Sequence, residues 1–362
     1  MTTIQNVSRR KFLKAAGITS GGLILGANLP LAAKTLTATS KGTNTISALN
    51  FFVSIASDGI VSIICHRSEM GQGIRTSVPQ IIADELGASW DKVSVVQAKA
   101  DAKYGSQGTA GSASIRSHFT TIRQMGAIAR DMLEQAAATI WQVEKSAVIA
   151  RNHRVEHKAT GQVISFAELA PFAAKLTPPD ADSVTLKNIT DFSLIGKDVK
   201  QVDLANIVAG KAQYAQDIQL ENMLIATIIR PPVVGGKVIS FDASAAKKVR
   251  GVVDVIALKP RAIPVATNPL SGVAVLATNT WAALEGRKKL KIEWDIDENN
   301  VQNSETLKTI IIDRVQQQGK VAASIGDVYQ HQYNKAQTIE ATYTVPYNNH
   351  SPMETPSATA VV

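Results

Sequence analysis

Two glycine-rich stretches hold the residues of this chain best suited to gripping a bound group. The first is Arg67-Ser68-Glu69-Met70-Gly71-Gln72-Gly73, read as a loop between a strand and a helix. Gly71 and Gly73 flank Gln72, so the backbone can come close to a bound group. The Gln72 amide can donate and accept hydrogen bonds at short range. The start of the following helix favours an anion. The second stretch, Gly105-Ser106-Gln107-Gly108-Thr109-Ala110-Gly111-Ser112-Ala113-Ser114, repeats this logic. Its backbone N–H groups, with Thr109, Ser112 and Ser114, suit a phosphate or a pterin, and Arg116 adds positive charge. Taken singly, each loop reads as a plain turn; their joint occurrence, in this order, is the more specific signal.

Other candidates point to structure. Cys65 is the single cysteine. That excludes an internal disulfide, an iron–sulfur cluster held by this chain alone, and a cysteine-rich zinc site. Cys65 and His66 are neighbours in a strand and point to opposite faces, so they form no dyad and Cys65 reads as a buried thiol. His153 and His157 have metal-like spacing but bracket Arg154 and Glu156 in a polar, strand-like stretch, which reads as a solvated surface. Arg287-Lys288-Lys289 reads as a solvated edge. Glu69 reads as a brace for its loop and Glu354 as an interface residue, neither as a general base. No Gly-x-Ser-x-Gly nucleophile elbow is present.

Several elements must position the loops. Phe51–Ala56 and Ile60–Cys65 read as a hairpin closed by Ser57-Asp58-Gly59. A helix is predicted over Ser77–Leu86, with Pro79 tolerated in its first turn, and a strand over Lys92–Gln97. A long helix is predicted from Arg116 to Ala138, its apolar stripe running from Phe119 to Ala136. Leu176–Asp203 is loop-like and places a domain boundary near residue 200. Beyond it, Met223–Ile229, Lys237–Phe241, Val252–Leu258 and Gly272–Ala277 read as strands, with helical patches at Ser244–Lys248 and Thr280–Leu284. A helix over Glu305–Gln318 and a strand over Gln337–Val345 open a further unit. The fold class is α+β and multi-domain. The divisions are 1–33, 34–49 as a Thr/Ser-rich spacer, 50–200, 201–297 and 298–362.

The 362 residues suffice for two or three domains at roughly 100–200 residues each. With 45% hydrophobic and 19% charged residues, a real core is expected. The net charge of +8 is concentrated partly at Arg9, Arg10, Lys11 and Lys14, and the remaining basic residues are scattered, which argues against a nucleic-acid surface. Ser8-Arg9-Arg10-Lys11-Phe12-Leu13-Lys14 followed by the apolar run Ala15–Ala33 matches a twin-arginine export signal. That predicts a periplasmic protein that folds around a cofactor before export, with the signal either cleaved after Ala33 or kept as an anchor.

The two loops, with Tyr214-Ala215-Gln216-Asp217-Ile218, Ile229-Arg230-Pro231-Pro232, Val249–Val255, Asn279–Leu284 and His350-Ser351-Pro352-Met353-Glu354, give a combined pattern. It resembles the molybdopterin-binding large subunit of the xanthine dehydrogenase and aldehyde oxidase family, of the isoquinoline 1-oxidoreductase kind. The resemblance implies that Met70, Gly71, Gln72 and Gly73 lie near the molybdenum end of the cofactor. It implies that Gly108, Thr109, Gly111, Ser112, Ser114 and Arg116 hold its pterin and phosphates. It makes 50–200 the first part of a molybdopterin-binding domain, 201–297 an a/b hammerhead domain and 298–362 the start of a second molybdopterin-binding segment. The implied cofactor is molybdopterin cytosine dinucleotide, bound once the missing half complements this chain. The implied reaction is hydroxylation of an aldehyde or N-heterocycle with oxygen from water, electrons leaving through a separate [2Fe-2S] subunit. The family's Gly-Gly-Phe-Gly-type loop and its C-terminal glutamate base are absent, so no catalytic residue or metal ligand is assigned. Two expectations stand side by side: the N-terminal part of a hydroxylase, inactive until a second polypeptide supplies the C-terminal half, or a non-catalytic exported binding or scaffold module.

Overall fold

The computed structural model describes residues 46–48, 50–259, 270–296, 303–326, 339–348, 351 and 353–361. The twin-arginine segment, the apolar run after it, His350 and Pro352 lie outside them. The fold is α+β, and the chain divides into two compact units between Ala212 and Gln213.

In the first unit, strands β1 (Ile46–Ala48), β2 (Val53–Ala56), β3 (Val61–Cys65) and β4 (Val93–Gln97) form one sheet in that order. The β2–β3 hairpin is antiparallel, whereas β4 runs parallel to β3. A parallel neighbour requires a crossover, here helix α1 (Ile74–Leu86). Val61, Ile63 and Cys65 alternate inward and pack with Val78, Ile82 and Leu86 in one core. A short helix α2 (Ala113–Arg116) precedes α3 (Phe119–Trp141), whose buried stripe includes Ile122, Ala129, Met132, Leu133 and Ala136. Strands β5 (Val148–Arg151), β6 (Arg154–His157) and β7 (Val163–Ser165) make a second sheet, and α4 (Phe166–Ala173) starts with a Ser165/Glu168 capping box.

Helices α1 and α3 meet at Gly126. A Cβ built there would lie 2.4 Å from the Ile82 carbonyl oxygen and 2.8 Å from Glu85 Cβ, so only glycine permits this approach. Next to it, Asp84 and Glu85 have no solvent exposure. Glu85 takes Arg123 Nε at 2.6 Å and Arg130 Nη1 at 3.0 Å from α3. Asp84 Oδ2 accepts the backbone N–H groups of Ser193, Leu194 and Ile195 at 2.7–3.0 Å, and Lys187 Nζ lies 3.1 Å from Oδ1. The loop-like stretch before residue 203 is thereby strapped onto α1. Its end is tied by the Arg75–Asp203 ion pair at 2.8 Å and by Val202 N–H to Thr76 Oγ1.

The structure corrects three local expectations. Helix α1 begins at Ile74 rather than Ser77 because the loop before it caps it, so Pro79 sits in its second turn and deprives the Arg75 carbonyl of an i→i−4 donor. The long helix is interrupted at Ser117–His118, where His118 leaves helical dihedrals (φ −128°, ψ 5°) and its Nδ1 lies 3.1 Å from the Ala113 oxygen. Residues 339–345 alternate apolar and polar but pair with no strand among the described residues, and Ile339, Tyr343 and Val345 are exposed. Alternation alone cannot make a strand without a neighbour to complete its ladder.

The second unit contains an antiparallel sheet of β8 (Ile225–Ile229), β10 (Val252–Leu258) and β11 (Gly272–Ala277), in the order β10-β11-β8. Strands β9 (Lys237–Asp242) and β12 (Lys291–Asp295) pair separately. Ala246, Val255, Val273 and Val275 form a core with Phe241 and Ile292 between the two sheets. Helix α5 (Leu204–Val208) closes the first unit; α6 (Ser244–Lys247) and α7 (Thr280–Lys288) belong to the second. Helix α8 (Ser304–Val315) is capped by Asn303 and buries no residue, leaving Ile310, Ile311, Ile312 and Val315 exposed.

Replacing Asp84 by Ala orphans Lys187 and three strap N–H groups. It is expected to cost about 3–5 kcal/mol in urea unfolding, as for a broken buried pair. Hydrogen exchange at Ser193–Ile195 should accelerate; protection equal to wild type there would overturn the strap's dependence on Asp84.

Candidate functional site

The two glycine loops lie side by side and are stitched together. Thr109 Oγ1 donates to the Ser68 carbonyl at 2.7 Å, and Gln107 Nε2 donates to the His66 carbonyl at 3.4 Å and the Lys99 carbonyl at 3.0 Å. Gly71 and Gly73 have φ of +93° and +86°, a region that favours glycine. A Cβ built at Gly71, Gly73, Gly105, Gly108 or Gly111 would meet nothing within 4 Å, so both loops present bare backbone to open space.

The first loop satisfies itself. Glu69 Oε1 accepts Gly71 N–H at 2.7 Å and Gly73 N–H at 3.0 Å, and Oε2 accepts Arg75 N–H at 2.9 Å. Glu69 therefore braces its loop and fills the N-terminal end of α1, where the sequence suggested room for an outside anion. Burial works to raise its pKa, but the backbone N–H bonds of Arg75, Gly73, Gly71 and Met70 outweigh it and hold the carboxyl below the usual glutamate range. Gln72 also folds back, accepting Met70 N–H at 2.7 Å and donating to the Ser68 carbonyl at 3.1 Å. Met70 is exposed.

In the second loop, Ser112 has φ +55° and begins α2 without a side-chain cap. Ser114 is buried and its Oγ accepts Arg67 Nε at 3.3 Å. Arg116 turns back to the Gly111 carbonyl at 3.3 Å. All ten residues singled out from the sequence thus lie on or at the ends of the two joined loops.

Sequence reasoning passed over the residues beneath them. Arg67 is 2% exposed, yet its guanidinium donates only to neutral oxygens: the Ser106 carbonyl, Ser106 Oγ at 3.1 Å and Ser114 Oγ. Among the described residues it has no carboxylate partner. A buried cation without a counter-charge carries a desolvation penalty on the order of several kcal/mol. Beside it, His66 is 3% exposed and its Nδ1 has no hydrogen-bond partner among the described residues. Burial, and then the charges of Arg67 and His118, lower its pKa to about 4, so the ring is neutral at pH 7. An orphaned polar atom, an unpaired buried cation and open glycine backbone on two adjoining loops fit an anionic, planar group. The missed signal was Arg67 itself: a charged residue two positions past the end of an inward-alternating strand, in register with its buried face.

The remaining candidates are structural. Cys65 is fully buried, its Sγ lies near the Arg67 and Ile74 carbonyls, and burial pushes its pKa up, which leaves an inert thiol. His153 corrects the expectation of a solvated pair. It is half-buried on Phe166, with Nε2 2.7 Å from the Gly59 oxygen and Nδ1 accepting Ser89 N–H at 3.4 Å, and burial lowers its pKa. His157 instead bonds Thr160 Oγ1 at 2.6 Å beside Trp141. Among the described residues, no group of three or more His, Cys, Asp or Glu stands ready for a metal ion. Arg287 and Lys288 close the last turn of α7, where positive charge suits the helix C-terminus. Glu354 Oε1 accepts Ala215 N–H at 3.2 Å.

Residues 15–205 match the Molybdopterin cofactor-binding domain family. The chain belongs to that family. Within it, the chain is of the large-subunit kind that includes the beta subunit of isoquinoline 1-oxidoreductase from Brevundimonas diminuta. It is 31% identical to that protein over 80% of this chain and 40% of the relative. A nicotinate dehydrogenase subunit of Pseudomonas putida is 28% identical over 84% of this chain and 25% of its own length. A membrane-bound aldehyde dehydrogenase of Gluconacetobacter polyoxogenes, named for pyrroloquinoline quinone, is 34% identical over 67% and 31% respectively. The chain therefore spans less than half the length of these curated relatives. Among solved structures, a Cu,Mo-CO dehydrogenase aligns over 27% of this chain and 15% of its own at 18% identity, with a TM-score of 0.21. Quinoline 2-oxidoreductase from Pseudomonas putida 86 aligns over 28% and 16%, again at 18% identity and TM-score 0.21.

The signs of the pKa shifts set the acid response of the first unit. His66 and His153 are lowered, so below about pH 6.5 the unfolded chain takes up protons first and stability falls. Glu69 is also lowered; its contribution is present above about pH 4.3 and is lost as pH falls through its folded value. The urea midpoint is expected to drop in two stages on acidification, and Glu69→Ala should diminish the second, to which Asp101, Glu156 and Glu168 also contribute, while costing about 1–2 kcal/mol at pH 7. An unchanged acid limb in Glu69→Ala would refute the brace.

Proposed function

We propose that the joined loops form part of the binding site for a molybdenum cofactor in a hydroxylase large subunit. The observation that carries this reading is the buried Arg67, without a carboxylate partner among the described residues, beneath two loops of open glycine backbone. Gly71, Gln72 and Gly73, with Met70, would approach the molybdenum end. Gly108, Thr109, Gly111, Ser112, Ser114 and Arg116 would hold the pterin and phosphates, in the form of molybdopterin cytosine dinucleotide. Arg67 would balance anionic charge from below, and His66 Nδ1 would gain the partner it lacks. When bound, such a cofactor supplies the redox chemistry for hydroxylating an electron-poor carbon with oxygen from water.

The names of the relatives support an aldehyde or N-heterocycle as substrate and a further subunit, here a [2Fe-2S] protein, as electron acceptor. The single cysteine supports that division. The second unit is read as the a/b hammerhead domain, and Arg9-Arg10 as the address for periplasmic export. Residues 298–362 are read as the start of a second molybdopterin-binding segment, with a second polypeptide as the source of the C-terminal half. One observation favours a second reading, a non-catalytic binding module: Glu69, the carboxylate within the first loop, is engaged with the backbone N–H groups of Gly71, Gly73 and Arg75 and so is not placed to act as a base.

The test is to express the full chain in a molybdopterin-producing host, then measure bound molybdenum and extracted pterin. Wild type is expected to retain pterin, and Arg67→Gln to retain about tenfold less, the loss of a single charge-assisted contact. No pterin on wild type would overturn the cofactor reading. Pterin without dye-linked oxidation, even with the remaining large-subunit polypeptide and the iron–sulfur subunit supplied, would favour the binding module.

A further inference from the structure

The second unit carries a groove of about 530 Å³ between α6 and α7 that the cofactor reading does not use. Trp281, Glu285 and Lys289 line one wall at successive i, i+4 positions, a run of about 12 Å along a helix axis. Lys248 and Arg250 come from the turn after α6. Trp281 is 65% exposed, a large apolar surface left in water.

The charges around the groove are unevenly matched. Lys247 pairs with Asp254, and Lys288 with Glu285. Asp242, near Lys248, is committed to the Ser244 N–H at 2.8 Å. Lys248, Arg250 and Lys289 have no ion pair among the described residues. The groove thus shows an indole and three cations that form no ion pair among the described residues, with its nearby carboxylates bonded to other groups.

We propose that this groove docks a short acidic segment of a partner polypeptide. Twelve ångströms accommodates roughly four extended residues at ~3.3 Å each. Acidic side chains would meet Lys248, Arg250 and Lys289, while an aromatic or apolar residue covers Trp281; tryptophan and arginine are the usual anchors of such contacts. The groove is open and its cations are exposed, so it cannot enclose a small ligand, whereas a docked segment brings its own cover. Asp242, Asp254 and Glu285 around it disfavour a long uniform polyanion such as a nucleic acid. This proposal stands apart from the cofactor reading.

The test uses the full chain and a fluorescein-labelled peptide, acetyl-Glu-Glu-Phe-Glu-Glu-amide, with anisotropy read at low and at physiological salt. Wild type should bind, more weakly at the higher salt. The double variant K248E/R250E and the variant W281A should each weaken binding about tenfold, with unchanged circular dichroism. K308E, an exposed charge reversal on α8, should bind as wild type. Absence of peptide binding, K248E/R250E binding as wild type, or K308E weakening it equally would each overturn the proposal. So would tighter binding of a single-stranded oligonucleotide that the same double variant abolishes.

Discussion

The first unit depends on two adjacent carboxylates kept entirely out of water. Asp84 and Glu85 end α1, and each faces a different part of the structure: Glu85 holds α3 through Arg123 and Arg130, and Asp84 holds the strap through Lys187 and three backbone N–H groups. Buried ion pairs add little net stability when set against well-packed apolar groups, but they punish the loss of one partner and so fix which elements meet. Gly126 brings the α1 and α3 backbones close enough for those pairs to form. Because the first glycine loop runs into α1 and the second runs through α2 into α3, this clamp sets the spacing of the two loops.

The loops then add their own ties. Thr109 and Gln107 reach the backbone around Ser68 and His66, and Arg67 reaches both Ser106 and Ser114. The same guanidinium that staples one loop to the other is left without a counter-charge among the described residues. Structural cohesion and the demand for an anion therefore reside in one side chain. Removing Arg67 affects both, which is why retention of pterin and integrity of the fold must be read separately.

Much of this was legible in the sequence where a rule is local. Glycine spacing marked both loops; the Ser-Asp-Gly turn marked the β2–β3 hairpin; alternation and helical stripes marked most strands and helices. What was not legible depended on distant partners. Asp84 and Glu85 look like ordinary helix-surface acids until Arg123, Arg130 and Lys187, far along the chain, come to meet them. The early start of α1 follows from Glu69 capping it across six residues. His153 looked solvent-facing because its partner, the Gly59 carbonyl, lies on another hairpin. The alternating stretch after Ile339 shows the converse: a local pattern with no partner strand among the described residues.

The self-satisfied first loop has a consequence for selectivity. With the N–H groups of Met70, Gly71, Gly73 and Arg75 already committed to Gln72 and Glu69, four of the loop's donors are taken before any stray phosphate or sulfate arrives. Glu69 acts as a resident occupant of its own anion seat. At those four donors a guest must exchange hydrogen bonds with Glu69 or Gln72, while the charge of Arg67 still favours an anion. Entry favours a molecule whose shape engages both loops at once.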